Sequence, residues 1–252
     1  MKITAVTVCV NYSDFFVHAV EANRKFFDNW IVVTDTKDSA TVQLCKDYNL
    51  TCVQTDVFYE GGTFKKFNGI NEGLKHDPNN DWVLFIDADI LLSPYTRRIL
   101  EELKLNPDNL YGIDRVNCKG YDEFEKYLKD PKILINNWLL TNAGMEFGAR
   151  IVHIYGEWGD NGKFTGYKPL GFFQLAHRSK FTSYPEGFTD ASHGDVVFAK
   201  QWDRSNRVLI PEIMGVHLVT DNDWGKNWSG RKSREFKPKS TIIKKLGFKL
   251  RG

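Results

Sequence analysis

Cysteine is scarce in this chain of 252 residues: Cys9, Cys45, Cys52 and Cys118 are the whole complement, and no two are spaced as CxxC or as zinc ligands. That excludes a disulfide framework and a structural zinc site, and it predicts reduced, mostly buried thiols. Long apolar runs are missing too, where a membrane-spanning helix needs about 20 such residues. The first residues, MKITAVTVCVNYSD, lack the apolar core and small-residue cleavage site of a secretory leader. Together these absences predict a cytoplasmic protein, at most peripheral at the inner membrane face. Internal repeats and low-complexity tracts are also absent, which excludes solenoids and disordered chains.

Net charge is small, +2 at neutral pH, yet unevenly placed. Residues 226–252 hold ten Lys or Arg against one acid, Glu235, a net +9 that leaves −7 on residues 1–225. Such asymmetry predicts a tail that touches something anionic. Within it, residues 240–251 place Ile242, Leu246 and Leu250 at i, i+4 and i+8 among lysines. A basic amphipathic segment of this kind suits an anionic membrane or nucleic acid, and equally a helix docked on its own domain.

What is present is ordinary globular composition, 42% hydrophobic and 26% charged, enough for one large domain. Short β-branched runs at 2–10, 30–34, 51–55 and 83–86 alternate with helical patterns at 15–27, 38–48 and 64–75. That rhythm predicts an α/β fold, a mostly parallel sheet with helices on both faces. Further on, helices are expected over 95–103, 121–129 and 192–202, and strands over 110–114, 171–177, 207–211 and 215–218. The stretch 131–171 is rich in Trp, Asn and Gly, including Trp138, Trp158 and Asn142, and has no clear period. Such side chains suit sugar faces and hydroxyls, and equally the packing of an insert.

The chain is organised around DWVLFIDADILLSP, residues 81–94. Its apolar run reads as a buried strand, and Asp87 and Asp89 follow at the C-terminal end, where open α/β sheets bind ligands. Residues two apart in extended backbone project to one side, so both carboxylates can meet one hard cation. Two acids are half a shell for Mg2+ or Mn2+, and a diphosphate with water would complete it. The plainer reading is an acidic turn that closes the strand.

A strand ending at Asn11 and Tyr12, a second ending at Asp35, a KKFN segment, the Asp87–Asp89 unit, GDVVFAKQW at 194–202 and a late His217 follow one another in order. In that order they resemble the GT-A glycosyltransferases, especially family-2-like enzymes, over roughly residues 2–232. The resemblance implies a GT-A domain over 1–225, with a nucleotide-sugar half at 1–115 and an acceptor half at 116–225, followed by a basic loop and tail. It implies a nucleotide-sugar donor, UDP-linked by preference, and a saccharide, lipid-linked or modified-nucleobase acceptor. Val10, Asn11, Tyr12 and Asp35 would hold base and ribose; Lys65 and Asn68 would contact nucleotide or sugar. Asp87, Asp89 and His217 would hold Mn2+ or Mg2+, the imidazole favouring Mn2+. Trp228, Arg231 and Lys232, in a segment flanked by Gly225 and Gly230, would close on the diphosphate. Asp195 would be the general base of an inverting transfer, although Gly194 stands where a second acid often precedes it, and His193 is a substitute base. A helix cap explains Asp195 as well.

Two other classes remain open on sequence alone. Sugar-phosphate nucleotidyltransferases share the strand order and metal, but CVNYSDFF has no glycine-rich phosphate loop. A non-catalytic nucleotide- or sugar-binding module would use the same aspartates structurally.

Overall fold

The computed structural model describes residues 1–78, 81–134, 167–188, 190–220 and 227–238. The Trp- and Asn-rich stretch and the amphipathic tail therefore lie largely outside the described residues. Eight strands form one sheet in the order β3-β2-β1-β4-β7-β6-β8-β5. They are β1 (Ile3–Val8), β2 (Asn29–Asp35), β3 (Thr51–Thr55), β4 (Trp82–Ile86), β5 (Ile90–Leu92), β6 (Leu110–Lys119), β7 (Phe173–His177) and β8 (Arg207–Val219). The predicted parallel sheet is the half built from β3, β2, β1 and β4. In the other half β7 runs antiparallel to β4 and β6, β8 parallel to β6, and β5 antiparallel to β8.

Strand period explains the two-sided core. On β4, Leu84 and Ile86 join one buried cluster with Phe16, Ala19 and Val20 of α1 (Ser13–Asn23) and Cys45 of α2 (Ser39–Asp47). Val83 and Phe85 face the other way, into a cluster with Phe67, Ile70 and Leu74 of α3 (Lys66–Leu74) and Phe198 of α6 (Gly194–Ala199). Helices thus cover both faces of the sheet, as the α/β pattern predicts. α3 lies very close: a Cβ on Gly73 would stand 2.7 Å from Val33 Cγ2, and one on Gly69 would run into the Phe58 ring. The remaining helices are α4 (Thr96–Glu102) and α5 (Tyr121–Lys129). All four cysteines are free thiols, and Cys9, Cys45 and Cys118 are buried.

Four elements differ from the sequence pattern. Residues 90–92, to which the sequence pattern gives no element, form β5, where Asn23 holds their backbone: its side-chain amide donates to the Ile90 carbonyl at 2.7 Å and accepts from the Leu92 amide at 2.8 Å. β6 runs five residues beyond Asp114, the predicted end of its strand. The two short strands expected at 207–211 and 215–218 are two ladders of β8 on β6, separated where the register shifts between Gly112 and Asp114. Helix α1 stops at Asn23, and a 3-10 turn, Arg24–Phe26, carries the chain onward.

Register places the site. β1 and β4 are adjacent and parallel, so Val10, Tyr12 and Asp87 leave the sheet at the same edge. β7 is antiparallel and begins opposite Ile86, which brings Gly171 and Phe172 to that edge, where the Asp87 amide bonds the Phe172 carbonyl at 3.3 Å. β6 continues past the start of β7 and carries Arg115 and Asn117 beside them. Among the described residues no helix is long and apolar enough to cross a membrane.

Candidate active site

At this edge a cleft of about 350 Å³ is lined by Val8, Val10 and Tyr12 from the end of β1, by Lys66 and Phe67 of α3, and by Asp87 and Asp89. Arg115, Gly171, Phe172, Asp195, His217, Asn227, Trp228 and Arg231 complete much of its wall. The two acids therefore share a cleft with the end of the first strand.

His217 lies opposite Ile90 in the β5–β8 ladder, one residue past Asp89, and its Nε2 is 3.4 Å from Asp89 Oδ2. Its Nδ1 is 3.0 Å from Asn117 Oδ1. With Nδ1 donating to that amide oxygen, Nε2 is the atom that faces Asp89: carrying a proton it donates to the carboxylate, and without one it is the nitrogen a metal would take. Asp89 Oδ1 is buried with no hydrogen-bond partner among the described residues. Burial works to raise the Asp89 pKa, but the charge and hydrogen bond of His217, with Arg115 and Lys66, outweigh it and hold the carboxyl below its usual range. Among the described residues no three His, Cys, Asp or Glu side chains are grouped to cage an ion by themselves. The orphaned Asp89 oxygen and the imidazole nitrogen beside it are nonetheless donors of the kinds a divalent ion takes.

Asp87 is held from the other side. Lys66 Nζ donates to its Oδ1 at 2.5 Å. Burial tends to lower the Lys66 pKa; the charge and hydrogen bond of Asp87, with Asp195 and Asp89, overcome this and raise it. Of the neighbouring lysines it is thus Lys66 that lines the cleft. Lys65 caps α3 outside it, and Asn68, two residues and about 200° further round the helix, faces elsewhere.

Asp195 begins the first turn of α6 and is fixed by two backbone donors. The Gly171 amide reaches Oδ2 at 2.8 Å, and the Val196 amide reaches Oδ1 at 2.8 Å. Gln174, buried on β7, donates to the Asp195 carbonyl at 3.0 Å and accepts from the Tyr184 hydroxyl at 2.6 Å, locking helix to sheet. Burial raises the carboxyl pKa; its backbone donors and Lys66 pull it down without cancelling the rise. A Cβ on Gly194 would stand 2.4 Å from the Phe67 ring. The packing of α3 thus explains why no second acid precedes Asp195. His193 is exposed, bonds Ser192, and is not among the cleft-lining residues.

The remaining predicted residues separate. Val10 and Tyr12 line the cleft, and the Tyr12 hydroxyl accepts from Asn227 at 2.8 Å. Asn11 takes a left-handed φ of 54°, and its amide donates to Asp38 Oδ2 at 2.6 Å. Asp35 is spent in its own turn, where Oδ1 accepts the Lys37 amide at 2.9 Å, and it is not among the lining residues. Trp228 stands at the cleft rim, 57% exposed. Arg231 is not a free phosphate ligand: both terminal nitrogens engage Asp14, at 2.5 and 2.7 Å, and also the carbonyls of Asn11 and Arg234. Lys232 is exposed and away from the cleft, while Gly225 and Lys226 lie outside the described residues.

Arg115, Asn117 and Asn227 were missed in the sequence. A charged pair, Asp114 and Arg115, inside an otherwise apolar strand is the signal that marks the first, since buried charges rarely lack a role. Asn227 accepts the amides of Lys232 and Ser233 at 2.7 and 2.9 Å and so shapes the turn over the cleft.

Paired acids at the end of the central strand of a mixed α/β sheet define the class, a GT-A glycosyltransferase fold. The chain belongs to glycosyl transferase family 2, whose model matches residues 4–153, and it is a glycosyltransferase. No curated protein sequence matches it. Among solved structures it is similar to glucosyl-3-phosphoglycerate synthase from Mycobacterium tuberculosis in complex with Mn2+, UDP-glucose and phosphoglyceric acid. The identity is 13%, with 96% of this chain and 74% of that one covered and a TM-score of 0.49. Mannosyl-3-phosphoglycerate synthase from Rubrobacter xylanophilus matches at 14% identity, covering all of this chain and 74% of its own, with a TM-score of 0.48.

Proposed function

We propose that this family-2 enzyme transfers a sugar from a nucleoside-diphosphate donor, a UDP-sugar by preference, to a hydroxyl acceptor with inversion, using Asp195 as base. The observation that carries the proposal is the unpartnered Asp89 oxygen beside His217, in one cleft with an acid whose pKa burial has raised. Asp87, Asp89 and His217 would hold Mn2+ in preference to Mg2+, and the ion when bound supplies positive charge to the departing diphosphate. Lys66 adds a fixed cation against Asp87 and keeps that carboxylate aimed into the cleft. Val10 and Tyr12 offer an apolar edge and a ring to the nucleoside, and Trp228 roofs the opening.

Asp195 accepts the proton of the acceptor hydroxyl as that oxygen attacks the anomeric carbon. Its two backbone donors fix the carboxylate, and its raised pKa makes it a stronger base than a free aspartate. The test is hydrolysis of UDP-sugars by the purified chain with and without Mn2+. Turnover that needs the metal and is abolished in Asp87→Asn and Asp89→Asn supports the proposal. Metal-dependent binding of a sugar nucleotide with no turnover under any acceptor condition would replace it with a binding module.

A further inference from the structure

Three cationic side chains line the cleft, and two of them are committed. Lys66 is bonded to Asp87, and Arg231 to Asp14 and two carbonyls. Arg115 is different. Among the described residues no side-chain hydrogen bond or ion pair engages its guanidinium, and its Nε is buried without a partner. The group lies over the Phe172 ring, 4.3 Å from the centroid, and both residues line the cleft. A buried Nε with no partner is costly, and the terminal nitrogens beside it have no protein acceptor among the described residues, so a ligand that meets the fork would satisfy it. A guanidinium fork matches the paired oxygens of a phosphate or carboxylate. Were Arg115 present only to balance Asp87, Asp89 and Asp195, contact with one of them would serve, yet none lies within ion-pair distance.

Its place in the sheet indicates which substrate carries the anion. β6 is two strands beyond β4, roughly 10 Å from the strand that ends at Asp87 and further still from β1. The nucleoside edge at Val10 and Tyr12 is thus on the opposite side of the acids. Phe172, under the guanidinium, directly follows Gly171, whose amide holds Asp195. We infer that Arg115 receives a phosphate or carboxylate group of the acceptor, so that the molecule to be glycosylated is an anion held beside Asp195. This rests on the donor and base assignments proposed above.

The experiment is a thermal-shift titration of the full chain with inorganic phosphate, and in parallel with acetate, after the donor side is filled with UDP and Mn2+. One or both anions raise the wild-type midpoint, since a ligand of the native state stabilises it by mass action. Arg115→Gln weakens that response about ten- to hundred-fold, the loss expected for a charge-assisted fork. Arg115→Lys, which keeps the charge but loses the fork, falls between the two and serves if the Gln variant does not fold. UDP affinity is unchanged in Arg115→Lys, which keeps the charge beside Asp89. An equal anion response in wild type and Arg115→Gln, or none in wild type, overturns the inference. Weakened UDP binding in Arg115→Lys also overturns it, by placing the guanidinium on the donor. If UDP with Mn2+ fails to bind wild type, the donor assignment falls instead, and the same titrations without nucleotide still decide Arg115.

Discussion

Arg231 grips Asp14 with both ends of its guanidinium across 217 positions of sequence, at 2.5 and 2.7 Å, while its charge lies 5.1 Å from the Tyr12 ring centroid. Asp14 Oδ2 also accepts the Phe236 amide at 2.6 Å, and Phe236 stacks on Phe15 at 4.7 Å. A late segment of the chain is thereby bolted to the first turn of α1. Arg231→Ala and Asp14→Ala should each lower stability, with a coupling of about 1–2 kcal/mol in a double-mutant cycle read by urea denaturation. Additive losses would show that the pair contributes nothing jointly.

The raised pKa of Asp195 has opposite consequences for activity and stability. Only the ionised form accepts a proton, so the acid limb of kcat should fall at a pH above 3.8, the ordinary value for this carboxyl. For stability, the native state keeps the proton between 3.8 and its own higher pKa, while the unfolded chain has released it. That contribution is therefore full below 3.8 and lost as the pH rises through the folded value. Asp195→Asn should abolish transfer, leave UDP affinity intact, and flatten this part of the stability profile. An acid limb at the ordinary carboxylate pKa would count against the assignment.

Gly171 faces the base so closely that a Cβ there would stand 2.8 Å from the Asp195 Cβ. Gly171→Ala must push the carboxylate out of position. A displacement on the order of 1 Å can cost about a hundred-fold in kcat. Steady-state kinetics with a fixed donor should show that loss in kcat with little change in donor KM.

Asn23 pins β5 by two backbone bonds just after Asp89. Asn23→Ala leaves a buried carbonyl and a buried amide unmet, and should destabilise the fold by about 2–4 kcal/mol at roughly 1–2 for each. Denaturant unfolding measures the loss. Weaker Mn2+ binding by calorimetry should accompany it, because the acid turn loses its anchor.

Much of the sheet could be read directly. The strand at 83–86 is buried on both faces and therefore apolar throughout, and the acids that end it stand out against it. Asp195 was singled out by the likeness of GDVVF, at a predicted helix start, to the family's motif, and the structure places it in the cleft. The choice between Lys65 and Lys66 was not, because it depends on where α3 starts, and one residue rotates a side chain by about 100°. Arg231 read as a phosphate ligand because sequence shows its charge but not the distant Asp14 that consumes it. β5 escaped notice since its stability comes from Asn23, in a helix more than sixty residues earlier.

Asn227 joins the Tyr12 hydroxyl to the amides of Lys232 and Ser233, so one asparagine that follows the last strand of the sheet finishes a cavity begun by the first. A ribosome-bound chain that has not yet released residue 227 can assemble the paired acids and the sheet around them, but its pocket has no ceiling. Catalytic competence should then appear only once the residues beyond the sheet's last strand have emerged, after the sheet core itself can fold.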